Sequence, residues 1–116
     1  MAKTVLLVDD DDDVREIAEL MIADLGYDVI AAADGIAALS LAATRPLDAL
    51  VTDIRMPGMD GYQLAGKVRA LQPGIPVICI TGYTALGGDQ GNCSVLLRKP
   101  FRPADLESVL RRLCPN

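Results

Sequence analysis

Short aliphatic runs alternate with segments of helical periodicity along the chain. The runs typical of buried strands are TVLLV at Thr4–Val8, DVIAA at Asp28–Ala32, LDALVT at Leu47–Thr52, IPVICIT at Ile75–Thr81 and SVLLR at Ser94–Arg98. Between these runs, apolar residues recur every three or four positions, as on one face of a helix. Because strands buried on both faces read as continuous aliphatic runs, the pattern predicts a parallel sheet with right-handed crossovers and helices on both faces.

Glycine, proline and aspartate mark the ends of the predicted helices. Gly26 ends the first helix, and Asp34 can cap the second, which stops before Pro46. Pro103 suits the first position of the last helix. The stretch 82–93 differs because four of its twelve residues are glycine. We expect at most one turn of helix there, so the fourth helix should be short or irregular.

Composition narrows the class of protein. The 116 residues are 51% hydrophobic but only 3% aromatic, which indicates one domain, residues 1–116, with an aliphatic core. The net charge of −5 argues against nucleic acid or an anionic membrane as a direct partner. No apolar run approaches the ~18 residues of a membrane span, and no signal peptide is visible. We therefore expect a cytoplasmic protein.

The cysteine and histidine content limits the chemistry. The three cysteines, Cys79, Cys93 and Cys114, are odd in number and form no CxxC motif. We therefore expect neither a disulfide framework nor a zinc site. The chain has no histidine, which removes the commonest metal ligand and general base.

Charge is unevenly distributed along the chain. Residues 1–34 carry ten acidic and two basic side chains, whereas residues 98–112 carry five basic and two acidic ones. A fold that brings the two ends together would place cations beside the acidic cluster.

Polar residues stand at the carboxyl ends of four predicted strands. They are Asp9 and Asp10, Asp53, Thr81 and Lys99. Each alone has an ordinary structural explanation, since such residues often form turns, pack at strand ends or face solvent. Together they carry more weight, because parallel sheets of this kind bind ligands beyond the carboxyl ends of their strands.

These side chains suit phosphoryl transfer to a carboxylate. Clustered carboxylates raise one another's pKa unless a cation is present, and Mg²⁺ prefers carboxylate and phosphate oxygens. A carboxylate can also act as a nucleophile towards phosphorus. The oxygens of the transferred group would then be neutralised by Mg²⁺, by Lys99 and by the Thr81 hydroxyl.

The chain resembles a response-regulator receiver domain of two-component signalling. The matching motifs are VDD at Val8–Asp10, DIRMPGMDG at Asp53–Gly61, TG at Thr81–Gly82 and KPF at Lys99–Phe101. They follow the family's order and span essentially the whole chain. The resemblance implies a doubly wound α/β fold with five parallel strands in the flavodoxin-like order 2-1-3-4-5.

By this resemblance, Asp53 is the phosphoacceptor and a histidine kinase or histidine phosphotransfer protein is the donor. The implied protein ligands of Mg²⁺ are Asp9, Asp10, Asp53 and the backbone carbonyl oxygen of Arg55. Thr81 and Lys99 would contact the phosphoryl group. The domain would catalyse only its own phosphorylation and dephosphorylation, and would switch a downstream protein partner. The family commonly has a cis bond between the lysine and the following proline.

Two features depart from the family's pattern. Receivers usually carry Tyr or Phe three residues before the lysine, and that ring moves with the threonine, whereas this chain has Leu96. The stretch between Thr81 and Lys99 is also short by about one helical turn, or ~4 residues. We therefore expect an altered output face, with the signal passing through the glycine-rich stretch 82–93.

The run of five aspartates has a divided interpretation. Asp9 and Asp10 are expected to bind Mg²⁺. Asp12 or Asp13 is expected to cap the first helix, where negative charge suits the helix dipole. The remaining aspartates are expected to be solvated.

Other functions remain open from the sequence. A pseudo-receiver would keep the fold as a docking module that phosphorylation does not regulate. A phosphatase with an aspartyl nucleophile would use the DxD spacing of Asp9 and Asp11 but would leave DIRMPGMDG unexplained, and a flavin domain would need a Ser/Thr-rich phosphate loop. No DNA-binding or enzymatic segment follows Leu113, so the chain is either a single-domain regulator or a receiver from a larger protein.

Overall fold

The computed structural model describes residues 2–82 and 93–115 of the chain. The elements in chain order are β1 (Thr4–Val8), α1 (Asp12–Asp24), β2 (Asp28–Ala32), α2 (Gly35–Thr44), β3 (Ala49–Asp53), α3 (Gly61–Leu71), β4 (Val77–Thr81), β5 (Val95–Arg98) and α4 (Pro103–Leu113). The predicted fourth helix and the proposed signalling stretch lie mostly in residues 83–92, outside the described residues. Within the described parts, no helix is both long and apolar enough to cross a membrane.

The five strands form one parallel sheet in the order β2-β1-β3-β4-β5. This confirms the predicted doubly wound fold. After β1 the chain moves to one side of the sheet for β2, and then crosses to the other side for β3. The strand order therefore reverses between β1 and β3, which is where α/β sheets of this kind bind their ligands.

The side chains of β1 alternate between two hydrophobic cores. Leu6 and Val8 belong to the core shared with α2 and α3, whereas Val5 and Leu7 belong to the core shared with α1 and α4. All four are at most 1% exposed. Burial of an aliphatic side chain stabilises a fold by ~1.5–3 kcal/mol, so both faces hold the central strands in place. The strand ends are therefore a rigid base for polar side chains.

Aspartates cap the first two helices. Asp34 caps α2 as predicted, since its carboxylate accepts a hydrogen bond of 2.8 Å from the Ala37 N–H. The prediction that Asp12 or Asp13 caps α1 is wrong. The capping residue is Asp11, whose carboxylate accepts from the N–H groups of Asp13 at 3.0 Å and Val14 at 3.1 Å. Asp12 and Asp13 instead occupy the first turn of the helix, where their charge still suits the helix dipole.

A disulfide bond joins Cys79 in β4 to Cys93, which lies two residues before β5. The sequence analysis, which expected no disulfide framework, did not predict this single bond. The two residues are 14 apart in sequence, but β4 and β5 are neighbours and the Cα atoms are 5.8 Å apart, as is usual for a disulfide. The third cysteine, Cys114, is free and buried.

Candidate functional site

The polar residues predicted from the strand ends lie at one edge of the sheet. Asp9 and Asp10 follow β1, Asp53 ends β3, Thr81 ends β4 and Lys99 follows β5. Backbone hydrogen bonds hold adjacent ends together, because the Lys99 N–H donates to the Thr81 carbonyl oxygen at 2.7 Å. The Lys99–Pro100 peptide bond is cis. The sheet thus brings together residues that are up to 90 positions apart in the sequence.

Three carboxylates form the centre of this edge. One oxygen from each of Asp9, Asp10 and Asp53 lies within 4.8 Å of the others. Asp9 is only 2% exposed and Asp53 is 9% exposed, whereas Asp10 faces solvent. The Asp9 carboxylate accepts a hydrogen bond of 2.9 Å from the Asp11 N–H, which fixes its orientation. The cluster is therefore open on the side of Asp10.

Burial makes the two inner carboxylates harder to ionise. The pKa of Asp53 is raised mainly because the carboxyl group is removed from water, and the nearby charge of Asp10 raises it further. Lys99 and the N–H groups of Arg55 and Ile54 oppose this rise in the pKa of Asp53. The pKa of Asp9 is likewise raised, first by burial and then by the charge of Asp53. A cation bound between these carboxylates would relieve the repulsion that adds to the effect of burial on both pKa values.

Lys99 supplies positive charge to the cluster. Its Nζ atom is 3.8 Å from Oδ2 of Asp53, and both side chains are largely shielded from solvent. Other basic residues of the last segment are paired locally, since Arg102 binds Asp105 and Arg111 binds Glu107 within or beside α4. The sequence predicted that basic residues near the end of the chain would lie beside the acidic cluster. Among the ion pairs of the described residues, Lys99 makes this contact.

Arg15 holds the acidic turn after β1 in place through two hydrogen bonds, a role that the sequence analysis did not predict. Its Nη1 donates to the Asp9 carbonyl oxygen at 2.8 Å, and its Nη2 binds the Asp12 carboxylate at 2.6 Å. Its side chain is only 20% exposed. The sequence could have indicated the ion pair, because Arg15 follows Asp12 by three positions and this spacing places both on one face of a helix.

The loop that follows Asp53 is anchored by the start of α3. The Gly61 N–H donates to the Ile54 carbonyl oxygen at 2.8 Å. A Cβ atom on Gly61 would clash with the Asp53 carbonyl oxygen and lie 2.8 Å from the Ile54 Cα, so only glycine permits this approach. Asp60 and Gln63 form a capping box at the same helix end. Arg55 lies in this loop, and its carbonyl oxygen as a metal ligand stays a prediction.

The donor set fits a hard divalent cation. Carboxylate oxygens at this spacing suit Mg²⁺, which needs one or two carboxylates and keeps several waters. The open side at Asp10 leaves room for those waters. The structure therefore brings together the predicted carboxylate ligands, and it places Lys99 and Thr81 beside them.

The five-stranded sheet and the acidic cluster at its switch point define a flavodoxin-like α/β domain with a candidate metal site. The chain belongs to the response regulator receiver domain family, which it matches over residues 5–111.

Curated proteins of similar sequence agree with this family assignment. A probable transcriptional regulator, ycf27, of Porphyridium aerugineum is 35% identical over 94% of this chain, which spans only 48% of that relative's length. The response regulator receiver protein CpdR of Brucella abortus (strain 2308) is 31% identical over 96% of both chains. The chain thus spans about half the length of some of its curated relatives and nearly all of others.

A solved structure is similar over the full length. The receiver domain of sensor histidine kinase PA1611 from Pseudomonas aeruginosa PAO1 is 32% identical, covers 100% of both chains and superposes with a TM-score of 0.88. That domain has a magnesium ion coordinated in its active site cleft.

Proposed function

We propose that this receiver domain accepts a phosphoryl group on Asp53 and thereby switches a protein partner. The observation that carries the proposal is the surroundings of Asp53 at the end of the central strand β3. Its carboxylate lies within 4.8 Å of those of Asp9 and Asp10, and 3.8 Å from the Lys99 ammonium. A nucleophile, a cation site and a fixed positive charge therefore share one position, as phosphoryl transfer requires.

The reaction is a displacement at phosphorus. An Asp53 carboxylate oxygen forms a bond to phosphorus, while the bond from phosphorus to the donor's imidazole nitrogen breaks. The imidazole leaves with the bonding electron pair. Lys99, whose ammonium is 3.8 Å from Asp53, is proposed to bind an oxygen of the transferred group. Thr81, at the end of the adjacent strand β4, is proposed to donate its hydroxyl to another. Water then attacks the phosphorus of the aspartyl phosphate, the bond from phosphorus to Asp53 breaks, and inorganic phosphate leaves while the carboxylate is restored. In this proposal the domain catalyses only its own phosphorylation and dephosphorylation.

Mg²⁺ is the proposed cofactor. Asp9, Asp10, Asp53 and the Arg55 carbonyl oxygen would hold it, and when bound it supplies positive charge to the phosphoryl oxygens. The raised pKa values of Asp9 and Asp53 support this assignment, because two buried carboxylates that repel each other gain most from a shared cation. The magnesium ion in the similar Pseudomonas receiver supports the same assignment.

The proposed donor is a histidine kinase or phosphotransfer protein in the cytoplasm, and its proposed docking site is an apolar groove beside Lys99. The groove runs between α1 and the start of α4, and its lining includes Ile17, Met21 and Phe101. Ile17 is 59% exposed although it is a large apolar residue. Because the groove begins at Lys99, a donor bound there would hold its phosphohistidine close to Asp53.

The test is to incubate the protein with Mg²⁺ and acetyl phosphate and to measure its intact mass. We expect the wild type to gain the mass of one phosphoryl group, and the gain to require Mg²⁺. Asp53→Asn should gain nothing, because its amide is a poor nucleophile, and Asp13→Asn is the control for loss of one acidic charge. A wild-type protein that stays unmodified by acetyl phosphate and by a phosphohistidine protein would instead be a pseudo-receiver.

A further inference from the structure

The disulfide between Cys79 and Cys93 closes a covalent loop that contains a residue of the candidate site. Thr81 lies two residues after Cys79 and therefore falls inside the loop. Side chains two apart on a strand point to the same face of the sheet, so Cys79 and Thr81 share a face. The disulfide thus anchors β4 at a position two residues before Thr81.

The same disulfide lies beside the position at which receivers usually carry an aromatic residue. Cys79 is the register partner of Leu96 on β5, and both pack in the core between the sheet and the helices α2 and α3. Cys93 contacts this core as well. The middle of β4 is therefore joined covalently to the segment just before β5, in a chain that lacks the usual ring.

The strands remain attached to each other without the disulfide. The Ser94 N–H donates to the Val77 carbonyl oxygen at 2.8 Å, and the Val77 N–H donates to the Ser94 hydroxyl at 3.0 Å. Arg69 also donates to this hydroxyl at 2.8 Å. The β4–β5 pair therefore has hydrogen bonds that persist when the sulfur–sulfur bond is broken, which makes reversible reduction compatible with the fold.

We propose that Cys79 and Cys93 form a reversible thiol–disulfide exchange site whose state controls phosphorylation at Asp53. This inference rests on the proposed function. In the oxidised state the bond ties β4, two residues before Thr81, to the segment that leads into β5, and so limits how far the end of β4 can shift. Reduction removes this tie, so the end of β4 with Thr81 can shift towards a phosphoryl group on Asp53.

The proposed reductant is a dithiol. A thiolate of the dithiol attacks the sulfur of Cys93, the bond between the two protein sulfurs breaks, and Cys79 leaves as a thiolate that takes up a proton. The second thiol of the reagent then attacks the mixed disulfide and releases Cys93. Two electrons and two protons pass to the protein, and the dithiol becomes a disulfide. Attack at Cys93 is favoured because it is half-buried, whereas Cys79 is 0% exposed.

Two preparations of the wild type test this inference. One is oxidised with glutathione disulfide and the other is reduced with dithiothreitol, and both are then freed of reagent. Alkylation after denaturation counts the thiols, and we expect one in the oxidised protein, at Cys114, and three in the reduced protein. The initial rate of phosphorylation by acetyl phosphate with Mg²⁺ should be roughly five-fold higher or more in the reduced protein. A five-fold change is the lower end of the effects that two coupled sites usually have on each other.

Two variants locate the effect. Cys93→Ser cannot form the bond, so its rate should match that of the reduced wild type under both treatments. Cys114→Ala keeps the pair and should keep the full redox dependence. Equal and measurable rates for the two wild-type preparations, or three thiols after oxidation, would overturn the inference.

A second readout separates this inference from the proposed function. If neither preparation is phosphorylated, the proposed function fails, and amide hydrogen exchange without a phosphodonor decides whether the disulfide restrains Thr81. We expect faster exchange at Thr81 and in β5 after reduction of the wild type, and no change in Cys93→Ser. Identical exchange in both wild-type preparations would overturn the inference independently of phosphorylation.

Discussion

Removing the charge of Asp9 should stabilise the metal-free protein. The Asp9 carboxylate is buried and lies within 4.8 Å of the carboxylates of Asp10 and Asp53. Asp9→Asn keeps the size of the side chain, and its amide oxygen can still accept the hydrogen bond from the Asp11 N–H. The neighbouring carboxylates are available as acceptors for the new amide N–H groups. The change therefore removes repulsion and burial of charge while it preserves the local hydrogen bonds.

The size of the stability change expected for Asp9→Asn follows from the distances between the carboxylates. Two unit charges 4.8 Å apart interact by ~1 kcal/mol in water and by ~3.5 kcal/mol at the effective dielectric constant of about 20 that suits partly buried sites. Asp9 experiences two such repulsions, and the attraction of Lys99 offsets one of them. We therefore expect Asp9→Asn to raise the free energy of unfolding at pH 7 by ~1–3 kcal/mol.

The sign of the pH dependence provides a second check. The folded protein holds the pKa of Asp9 above its ordinary value of 3.8, so the folded state binds more protons than the unfolded state between these two pKa values. The contribution of Asp9 to stability is thus most favourable below pH 3.8 and is lost as the pH rises through the raised pKa. The stability advantage of Asp9→Asn should therefore appear on going from acid to neutral pH.

The assay is urea unfolding in EDTA and in excess Mg²⁺. In EDTA, Asp9→Asn should unfold at higher urea than the wild type, whereas Asp13→Asn, which removes an exposed charge from the same segment, should differ little. Mg²⁺ should stabilise the wild type, because a ligand that binds only the folded state adds to its stability, and should stabilise Asp9→Asn much less. Equal or lower stability of Asp9→Asn in EDTA would refute the inferred repulsion.

Three further predictions concern the metal, the loop after Asp53 and the donor. Mg²⁺ affinity should rise with pH above 3.8, since protons compete for the two buried carboxylates, and a pH-independent titration would contradict this. Gly61→Ala should lower the free energy of unfolding by ~1–3 kcal/mol, because the new Cβ clashes with the end of β3. Gly82→Ala, whose Cβ meets only ordinary contacts, should change the free energy of unfolding little in the same urea assay. Ile17→Glu should slow phosphotransfer from a phosphohistidine protein by about tenfold or more without affecting acetyl phosphate, whereas Leu71→Glu, at another exposed apolar position, should affect neither rate.

The sequence was sufficient to predict the sheet because its three central strands, β1, β3 and β4, are buried on both faces. Each aliphatic run marks a strand, and helical spacing between runs implies the crossovers and hence the parallel order. The predicted starts of the strands were less accurate than the predicted order of the elements. The predicted strand from Ile75 begins at Val77 in the structure, because Ile75 instead donates to the Gln72 carbonyl oxygen at the end of α3 and Pro76 has no N–H to donate.

The features that the sequence did not reveal depend on distances between residues in space. Cys79 and Cys93 are ordinary single cysteines in the sequence, and only the pairing of β4 with β5 brings them together. The cap of α1 was misplaced because any aspartate in an acidic run can cap a helix, and the choice of Asp11 depends on its backbone conformation. The brace formed by Arg15 likewise depends on how the turn after β1 folds back on α1.

The most direct test of the proposed function is the position of the phosphoryl group within the chain. The wild type is phosphorylated with acetyl phosphate and Mg²⁺, the aspartyl phosphate is reduced with borohydride, and the peptides are sequenced by mass spectrometry. We expect the modified residue to be Asp53 alone. Among the residues that the structure describes, only its carboxylate lies beside both the Lys99 ammonium, at 3.8 Å, and the other two carboxylates. Modification of Asp9 or Asp10 in place of Asp53 in the wild type would contradict it.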